Sequence, residues 1–382
     1  MLQPVTKVAI FFANYGPYHL SRLEGFCNLA KKLNWQTIPL ELTRSGIAYE
    51  WKTEVDGISV PILSVLADKE PEQVNFLQLI QSLNVILQKT QPDVVAIAGY
   101  FRPAMLATLL WCRYHQISAI LLSESKEDDA HRSWLSEKFK SLIIKNYKAA
   151  LVGGQPHRRY LLKLGMSSDA ISFGYNVVGN EVFSPKKNSH LPRPIEKPYF
   201  LSINRFIPKK NLLFLLEAYA RYRLASRSAS WDLVLCGSGE LEPEINKKVD
   251  RLNLAECVHL PGFLQQRQLL PHFAHASCFI HASIQEQWGL VVNEAMAAGL
   301  PVLVSNKCGC YEDLVIEGIN GFGFDPENSQ QLTELMLKMS SGEIDLEKMS
   351  QASLEHIQKF SPDYFAEGLV QAVEYAMTHH SS

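Results

Sequence analysis

The chain has 382 residues, of which 47% are hydrophobic and 20% are charged. This balance is typical of a soluble globular protein and excludes disordered and fibrous proteins, and the length exceeds what one hydrophobic core usually supports. The formal net charge is -2, with Lys and Arg scattered along the chain, which excludes a basic surface for nucleic acid. We therefore expect two globular domains and no nucleic-acid partner.

The start of the chain lacks the charged, apolar and small-residue zones of a signal peptide. The longest apolar stretch, around residues 94–111, is broken by Arg102 and Pro103, so we expect no membrane span. These features predict a cytoplasmic protein. The basic stretch from Lys138 to Lys148 is compatible with a solvated helix face or with peripheral contact at the inner membrane surface. Seven cysteines, mostly in apolar stretches, predict buried thiols and no disulfide framework.

The first half of the chain alternates strand-like and helix-like segments. Helices are predicted at residues 20–33 and 104–115, and strands at residues 7–13, 36–42, 94–98, 119–123, 149–152 and 170–173. Such alternation predicts a parallel sheet covered by helices on both faces.

Four prolines between residues 183 and 198 mark a linker, and a second alternating series follows it. Its predicted strands are residues 199–204, 231–236, 257–260, 278–282 and 301–305, and its predicted helices are residues 211–223, 240–252, 265–275, 290–298 and 362–377. The predicted fold class is therefore α/β, with two Rossmann-like domains that we expect to face each other across a cleft. Ligands of open α/β sheets bind at the carboxyl ends of the strands.

The segment from Glu286 to Glu294 follows a predicted strand and opens a helix. Gly289 permits a tight turn that leaves the amides of Leu290 and Val291 at the helix start, where a phosphate binds readily. Glu294 lies roughly 6 Å further along the helix axis than its start. The two carboxylates could each accept hydrogen bonds from hydroxyl groups, one on either side of a phosphate, and a nucleotide-sugar has that layout.

Positive charge for such a phosphate is predicted at the end of the first strand of the same domain. Arg205 can bind phosphate oxygens in a bidentate manner, and Lys210 can act as a point charge. Fixed cations there would stabilise a departing nucleoside diphosphate. Each feature alone is common on protein surfaces, but their occurrence in successive α/β units favours one site.

Gly237-Ser-Gly239 follows another predicted strand. A glycine pair at this position could belong to a dinucleotide or S-adenosylmethionine site, but the third glycine of that fingerprint is missing. A methyltransferase at this loop therefore remains only a remote alternative.

Together these motifs resemble the retaining glycosyltransferases of family 4, the group 1 glycosyl transferases with the GT-B fold. The E-x7-E motif of that family matches Glu286 and Glu294, and its R-x4-K pair matches Arg205 and Lys210. The resemblance covers nearly the whole chain and is strongest from Tyr199 to Asp325. It implies an acceptor-binding domain over residues 1–183, a nucleotide-sugar domain over residues 184–360, and a C-terminal helix over residues 361–382 that crosses back to the first domain.

The resemblance also implies the role of each site residue. Glu286 would contact the hydroxyls of the donor sugar, Glu294 the ribose, and Arg205 and Lys210 the diphosphate. Donor binding would further involve Gly16, Gly237, Phe263, Leu264, Gln287, Trp288, Gly289, Leu290 and Val291, with Phe263 and Leu264 bordering the base. Such enzymes use the nucleotide-diphosphate-sugar as co-substrate and include enzymes of polysaccharide biosynthesis. Because no Asp-x-Asp motif follows a predicted strand, we expect neither a bound metal nor a cofactor, and Arg205, Lys210 and the helix dipole would balance the phosphate charge.

The acceptor side is predicted in the first domain. His19 lies in a glycine-containing loop after the first strand and is either a site residue or a helix cap. The polar segment from Ser123 to Arg132 is a candidate acceptor loop with Glu124 and Arg132 as candidates, and it departs from the family because Glu124 stands where many members have His. The acceptor is unidentified: a glycan, a lipid or a small molecule.

The predicted activity is transfer of a sugar, with retention, from a UDP-, GDP- or ADP-sugar. Two alternatives use the same architecture: a nucleotide-sugar epimerase, and a non-catalytic module that binds a nucleotide-sugar. Product analysis without an acceptor separates the first, and the absence of turnover separates the second.

Overall fold

A computed structural model describes residues 5–44, 59–67, 69, 73–129, 132–226 and 230–379. The chain forms two compact units. The first extends to Gly179 and also contains the residues from Phe360 onwards, and the second runs from Asn180 to Lys359.

The first unit alternates strands and helices along the chain. Its strands are β1 (Lys7–Phe12), β2 (Gln36–Glu41), β3 (Leu63–Ser64), β4 (Val94–Ala98), β5 (Ser118–Ser123), β6 (Ala149–Val152) and β7 (Ile171–Phe173). Its first helices are α1 (Pro17–Lys32), α2 (Phe76–Thr90), α3 (Pro103–Tyr114), α4 (Trp134–Ile144) and α5 (Gln155–Lys163).

These strands form a parallel sheet in the order β3-β2-β1-β4-β5-β6-β7. Alternate residues of β1 enter different cores because successive side chains point to opposite faces of a sheet. Ala9 and Phe11 pack with α2 to α5, whereas Val8, Ile10 and Phe12 pack with α1 and a final helix at Pro362–Thr378. Helices thus cover both faces of the sheet.

The second unit repeats the alternation. Its strands are β8 (Tyr199–Ile203), β9 (Asp232–Cys236), β10 (Val258–Gly262), β11 (Cys278–His281), β12 (Val302–Ser305) and β13 (Gly321–Phe324). Its helices are α6 (Asn180–Phe183), α7 (Pro185–Asn188), α8 (Leu212–Ala225), α9 (Glu242–Arg251), α10 (Gln266–His275), α11 (Leu290–Ala297), α12 (Tyr311–Leu314), α13 (Ser329–Ser340) and α14 (Leu346–Ile357), and the helix at Pro362–Thr378 is α15.

The second sheet is also parallel, in the order β10-β9-β8-β11-β12-β13. The strand order reverses between β8 and β11, so the loops that follow these two strands leave the sheet in opposite directions. A crevice opens between such loops at the carboxyl edge, where open α/β sheets bind ligands. The equivalent reversal in the first sheet lies between β1 and β4.

The structure differs from the sequence predictions at the ends of some elements and in a few elements that were not predicted. The first helix begins at Pro17 and not at Leu20, because proline is well tolerated in the first turn of a helix. Strands β3 and β13 were not predicted: β3 has two residues, and β13 has the sequence Gly-Phe-Gly-Phe, which lacks the β-branched residues typical of strands. The predicted linker contains the short helices α6 and α7.

Candidate functional site

The loops after β8 and β11 meet at the point where the strand order of the second sheet reverses. The first loop ends in a 3-10 turn, Pro208–Lys210. The backbone amide of Ile284 donates to the carbonyl of Lys209 at 3.0 Å, which joins the two loops directly. The loops that carry the predicted cations and Glu286 are thus held side by side.

Glu286 is the centre of a side-chain network in this crevice. Its carboxylate forms an ion pair with the Lys210 ammonium group, and both side chains are largely buried. Ser283 Oγ donates to Glu286 Oε2 at 3.3 Å, and His281 Nε2 lies 3.4 Å from the same oxygen. The network therefore joins residues from both loops and from the last position of β11.

The burial and contacts of this network determine the protonation states of Glu286 and His281. Burial alone would raise the pKa of Glu286, but the hydrogen bond from His281 and the positive charge of Lys210 outweigh it and hold the pKa well below its usual range. Burial lowers the pKa of His281, although the hydrogen bond to Glu286 opposes this effect. Near neutral pH, an ionised Glu286 thus lies beside a neutral His281 and a cationic Lys210.

The start of α11 contributes backbone donors. Gly289 precedes the helix with a φ of 106°, a left-handed conformation that favours glycine. A Cβ atom there would lie only 3.3 Å from His281 Nε2. The amides of Leu290 and Val291 occupy the first two positions of the helix, which have no acceptor within the helix itself. The positive end of the helix dipole is therefore placed at the crevice.

The segment before Gly289 is fixed from its other side. Trp288 is buried and donates its indole N–H to Asn293 at 2.8 Å, so its side chain braces the loop. The amides of Gly309 and Cys310 donate to the carbonyls of Glu286 and Trp288 at 3.1 and 3.2 Å. Cys308 and Cys310 thus belong to a segment that holds this loop, and all seven cysteines are buried and free, as predicted.

The second predicted cation, Arg205, is exposed at the start of the loop after β8. That loop packs against Gly237 and Gly239, which follow β9. A Cβ atom on Gly237 would lie 1.8 Å from the carbonyl oxygen of Asn204, and the amide of Phe206 donates to the carbonyl of Ser238 at 2.7 Å. The two glycines therefore allow the backbone after β9 to approach the loop that carries Arg205. This contact holds the loop in position.

The other predicted donor residues lie on the same unit. Phe263 and Leu264 are half-buried in the connection between β10 and α10, at the carboxyl edge of the sheet. Gln287 is exposed beside Glu286, whereas Glu294 is buried within α11.

In the first unit, Gly16 and His19 form the cap of α1. The amide of Gly16 donates to His19 Nδ1 at 3.2 Å, which places the ring proton on Nε2. Burial, together with the nearby charge of Arg22, lowers the pKa of His19 to about 3. His19 is therefore a neutral capping residue at the carboxyl end of β1.

Arg132 holds its own loop together. Its guanidinium group binds the carbonyl of Glu127 at 2.9 Å and the carboxylate of Asp129, and it lies over the ring of Tyr160. Glu124 directly follows β5 and is half-buried. His131, in the same predicted loop, lies outside the described residues.

Sequence reasoning missed His281 and Ser283, although both belong to the Glu286 network. A histidine that closes an otherwise apolar strand, Cys278–His281, was the available signal. Among the described residues, no three His, Cys, Asp or Glu side chains are grouped so that they could hold a metal ion. In the described part of the chain, no helix has the length and apolar character needed to cross a bilayer.

The lowered pKa of Glu286 predicts a pH effect on stability. Its ion pair stabilises the fold fully above the ordinary carboxyl pKa of 4.5, and this contribution is lost as the pH falls below that value. We expect the difference in melting temperature between the wild type and Glu286→Gln to shrink from about pH 6 to about pH 3. Thermal unfolding of both proteins across this range measures it, and a constant difference would contradict the assignment.

Comparison with known proteins adds independent evidence. Residues 184–356 match the family model "Glycosyl transferases group 1". The amylovoran biosynthesis glycosyltransferase AmsK of Erwinia amylovora is 27% identical over 192 residues, which are 49% of this chain and 46% of AmsK. The human alpha-1,3/1,6-mannosyltransferase ALG2 is 26% identical over 218 residues, which are 54% of this chain and 52% of ALG2. The chain thus spans about half the length of these curated relatives.

Solved structures match over nearly the whole chain. A glycosyltransferase from Rickettsia africae has a TM-score of 0.77 at 16% identity, covering 98% of this chain and 99% of that one. The Anabaena protein Alr3699/HepE, solved in complex with UDP, has a TM-score of 0.73 at 16% identity, covering 97% and 100%. Residues 184–356 therefore match the glycosyl transferases group 1 model, and the chain has the GT-B glycosyltransferase fold of two Rossmann-like units.

Proposed function

We propose that this protein is a retaining glycosyltransferase of family 4 that transfers a sugar from a nucleotide-diphosphate donor. The observation that carries the proposal is the ion pair of Glu286 with Lys210 beside the half-buried start of α11. A carboxylate, a cation and backbone donors converge there at one edge of the sheet. This combination suits a sugar diphosphate, which has both hydroxyl groups and phosphate charge.

The diphosphate would be held by positive groups from three sources: Lys210, Arg205 and the start of α11. Phosphate oxygens bind well at a helix start, where backbone amides and the dipole act together. Fixed positive groups also favour the charge that develops on a leaving diphosphate. These groups offer a route to transfer without a bound metal or cofactor.

Glu286 would orient the sugar. Because its carboxylate stays ionised next to Lys210, it can accept hydrogen bonds from sugar hydroxyls, and the network of His281 and Ser283 fixes its position. Phe263 and Leu264 would border the base, and Glu294 the ribose. The Anabaena structure with bound UDP supports a nucleotide-sugar donor for this fold, and the AmsK relative supports a role in polysaccharide biosynthesis. We place the protein in the cytoplasm.

A donor screen tests the proposal. The purified chain is incubated with UDP-, GDP- and ADP-sugars, and its melting temperature and the slow hydrolysis of each donor are measured. We expect one donor class to raise the melting temperature. The proposal fails if no nucleotide-sugar does so at millimolar concentration. Conversion of a donor sugar into its epimer would indicate an epimerase, and binding without turnover would indicate a binding module.

Arg205→Ala should weaken binding of the matching nucleoside diphosphate by roughly ten- to a hundredfold, because a charge-assisted hydrogen bond to phosphate is lost. Titration calorimetry measures this. Arg251→Ala is the matched control, since Arg251 is exposed at the end of α9, away from the carboxyl edge of the sheet. Equal affinities for the Arg205 variant and the wild type would remove Arg205 from the site.

A further inference from the structure

One helix layer of the first unit has an unusually apolar outer face. Helices α2, α3 and α4 cover the same face of the sheet. Their outward side chains, together with the nearby Phe101, include most of the exposed large apolar residues of the described chain: Phe76, Leu77, Ile80, Val85, Leu110, Tyr114, Trp134, Leu135, Phe139 and Leu142. The opposite layer, formed by α1 and α15, adds only Met377 and, at the end of α1, Leu33 among the described residues.

Hydrogen bonds connect neighbouring helices of this layer. Trp111 on α3 donates its indole N–H to Asn84 on α2 at 3.1 Å, and Arg113 at the end of α3 donates to Asn146, just after α4. The apolar side chains are also prominent. Trp134 is 71% exposed and Phe139 is 63% exposed, both on α4. Exposed apolar surface of this extent marks an interaction site.

Positive charge predominates on these three helices. Glu137 is the single acidic residue of α2, α3 and α4, and its carboxylate is bound by Lys140 at 2.8 Å and by the Tyr160 hydroxyl at 2.8 Å. Lys138 and Lys145 are exposed beside the apolar residues of α4, and Lys138 lies over the Trp134 ring. Lys140 is buried in its pair with Glu137, so not every lysine of the basic stretch faces solvent.

We propose that the face formed by α2, α3 and α4 docks on an anionic lipid surface. Tryptophan and phenylalanine sit well at the boundary of headgroups and acyl chains, and lysines beside them are attracted to anionic headgroups. A twofold contact between two copies of this face would bring its lysines together, which disfavours self-association. The proposal is independent of the donor site.

A vesicle flotation experiment with the full chain tests this proposal. It compares vesicles of phosphatidylcholine alone with vesicles that also contain the anionic lipid phosphatidylglycerol. We expect binding to the anionic vesicles, weakened by high salt. The double variant Leu135→Glu/Phe139→Glu should lose at least tenfold in binding. Lys138→Gln should lose about fivefold, which corresponds to one lysine near an anionic surface.

The control variant is Leu224→Glu, because Leu224 is 86% exposed on α8 of the second unit. It should bind vesicles as the wild type does. Thermal unfolding with the nucleotide-sugar verifies that each variant is folded and retains its donor site. Absence of binding to anionic vesicles in low salt would overturn the proposal. So would a stable dimer of the wild type that Leu135→Glu/Phe139→Glu dissociates, because the face would then be an interface between copies.

Discussion

Glu286→Gln is expected to reduce turnover of the nucleotide-sugar by roughly 10²- to 10³-fold, the usual loss when a preorganised group at the reacting centre is removed. Gln has nearly the same size as Glu and can still accept a hydrogen bond from Lys210, so the loop should keep its position. The negative charge that orders Lys210 and accepts from the sugar hydroxyls would be lost. The measurement is the steady-state rate with the donor identified in the screen.

The matched control is Glu256→Gln. Glu256 is exposed before β10, on the edge of the sheet opposite the site, and its replacement should leave the rate unchanged. Melting curves of both variants separate a loss of activity from a loss of structure. A Glu286→Gln protein that turns over within a few-fold of the wild type would remove Glu286 from the reaction.

Gly237→Ala is expected to cause a large loss of stability. The added methyl group would overlap the carbonyl oxygen of Asn204, and the φ of 140° at Gly237 is strained for any residue with a Cβ atom. Such strain and overpacking together cost about 2–5 kcal/mol. Calorimetric unfolding should show the melting temperature falling by roughly 5–15 °C, at about 2–4 °C for each kcal/mol.

Gly262→Ala provides the matched control. Gly262 also has a positive φ, 79°, but beyond Gly262 and its two chain neighbours no described atom lies within 4 Å of the position of its added Cβ. The free energy of unfolding of this variant should fall only by the cost of a Cβ atom at a positive φ, about 1–2 kcal/mol. Similar losses for the two variants would show that close contact with Asn204 has no importance at Gly237.

The fold could be predicted from the sequence because the apolar runs and the order of strand-like and helix-like segments indicated the same architecture. When apolar strands such as Val94–Ala98 alternate with helical segments, a parallel sheet covered by helices is one of few folds that bury them. The ends of elements were harder to predict, since they depend on local capping: the amide of Gly16 bonds to His19 and extends α1 by one turn.

The candidate site could be predicted in its residue types but not in its contacts. The spacing of Glu286 and Gly289 shows that both come just before a helix start, yet spacing along the chain cannot show that Glu286 pairs with Lys210, which lies 76 positions away. His281 was missed because a buried histidine in a strand gives the same sequence signal whether it packs in a core or binds a carboxylate. Trp288 was expected among the donor-binding residues, but its burial and its hydrogen bond to Asn293 depend on tertiary packing that the sequence does not show.

The hydrogen bond between Ile284 and Lys209 joins main-chain atoms, so it does not depend on which side chains the two residues have. Under the proposed function, substitution of the neighbouring exposed Gln287 would alter which sugar is preferred while the spacing of the two loops is retained. An engineer who wishes to change the donor could diversify these side chains on a constant scaffold.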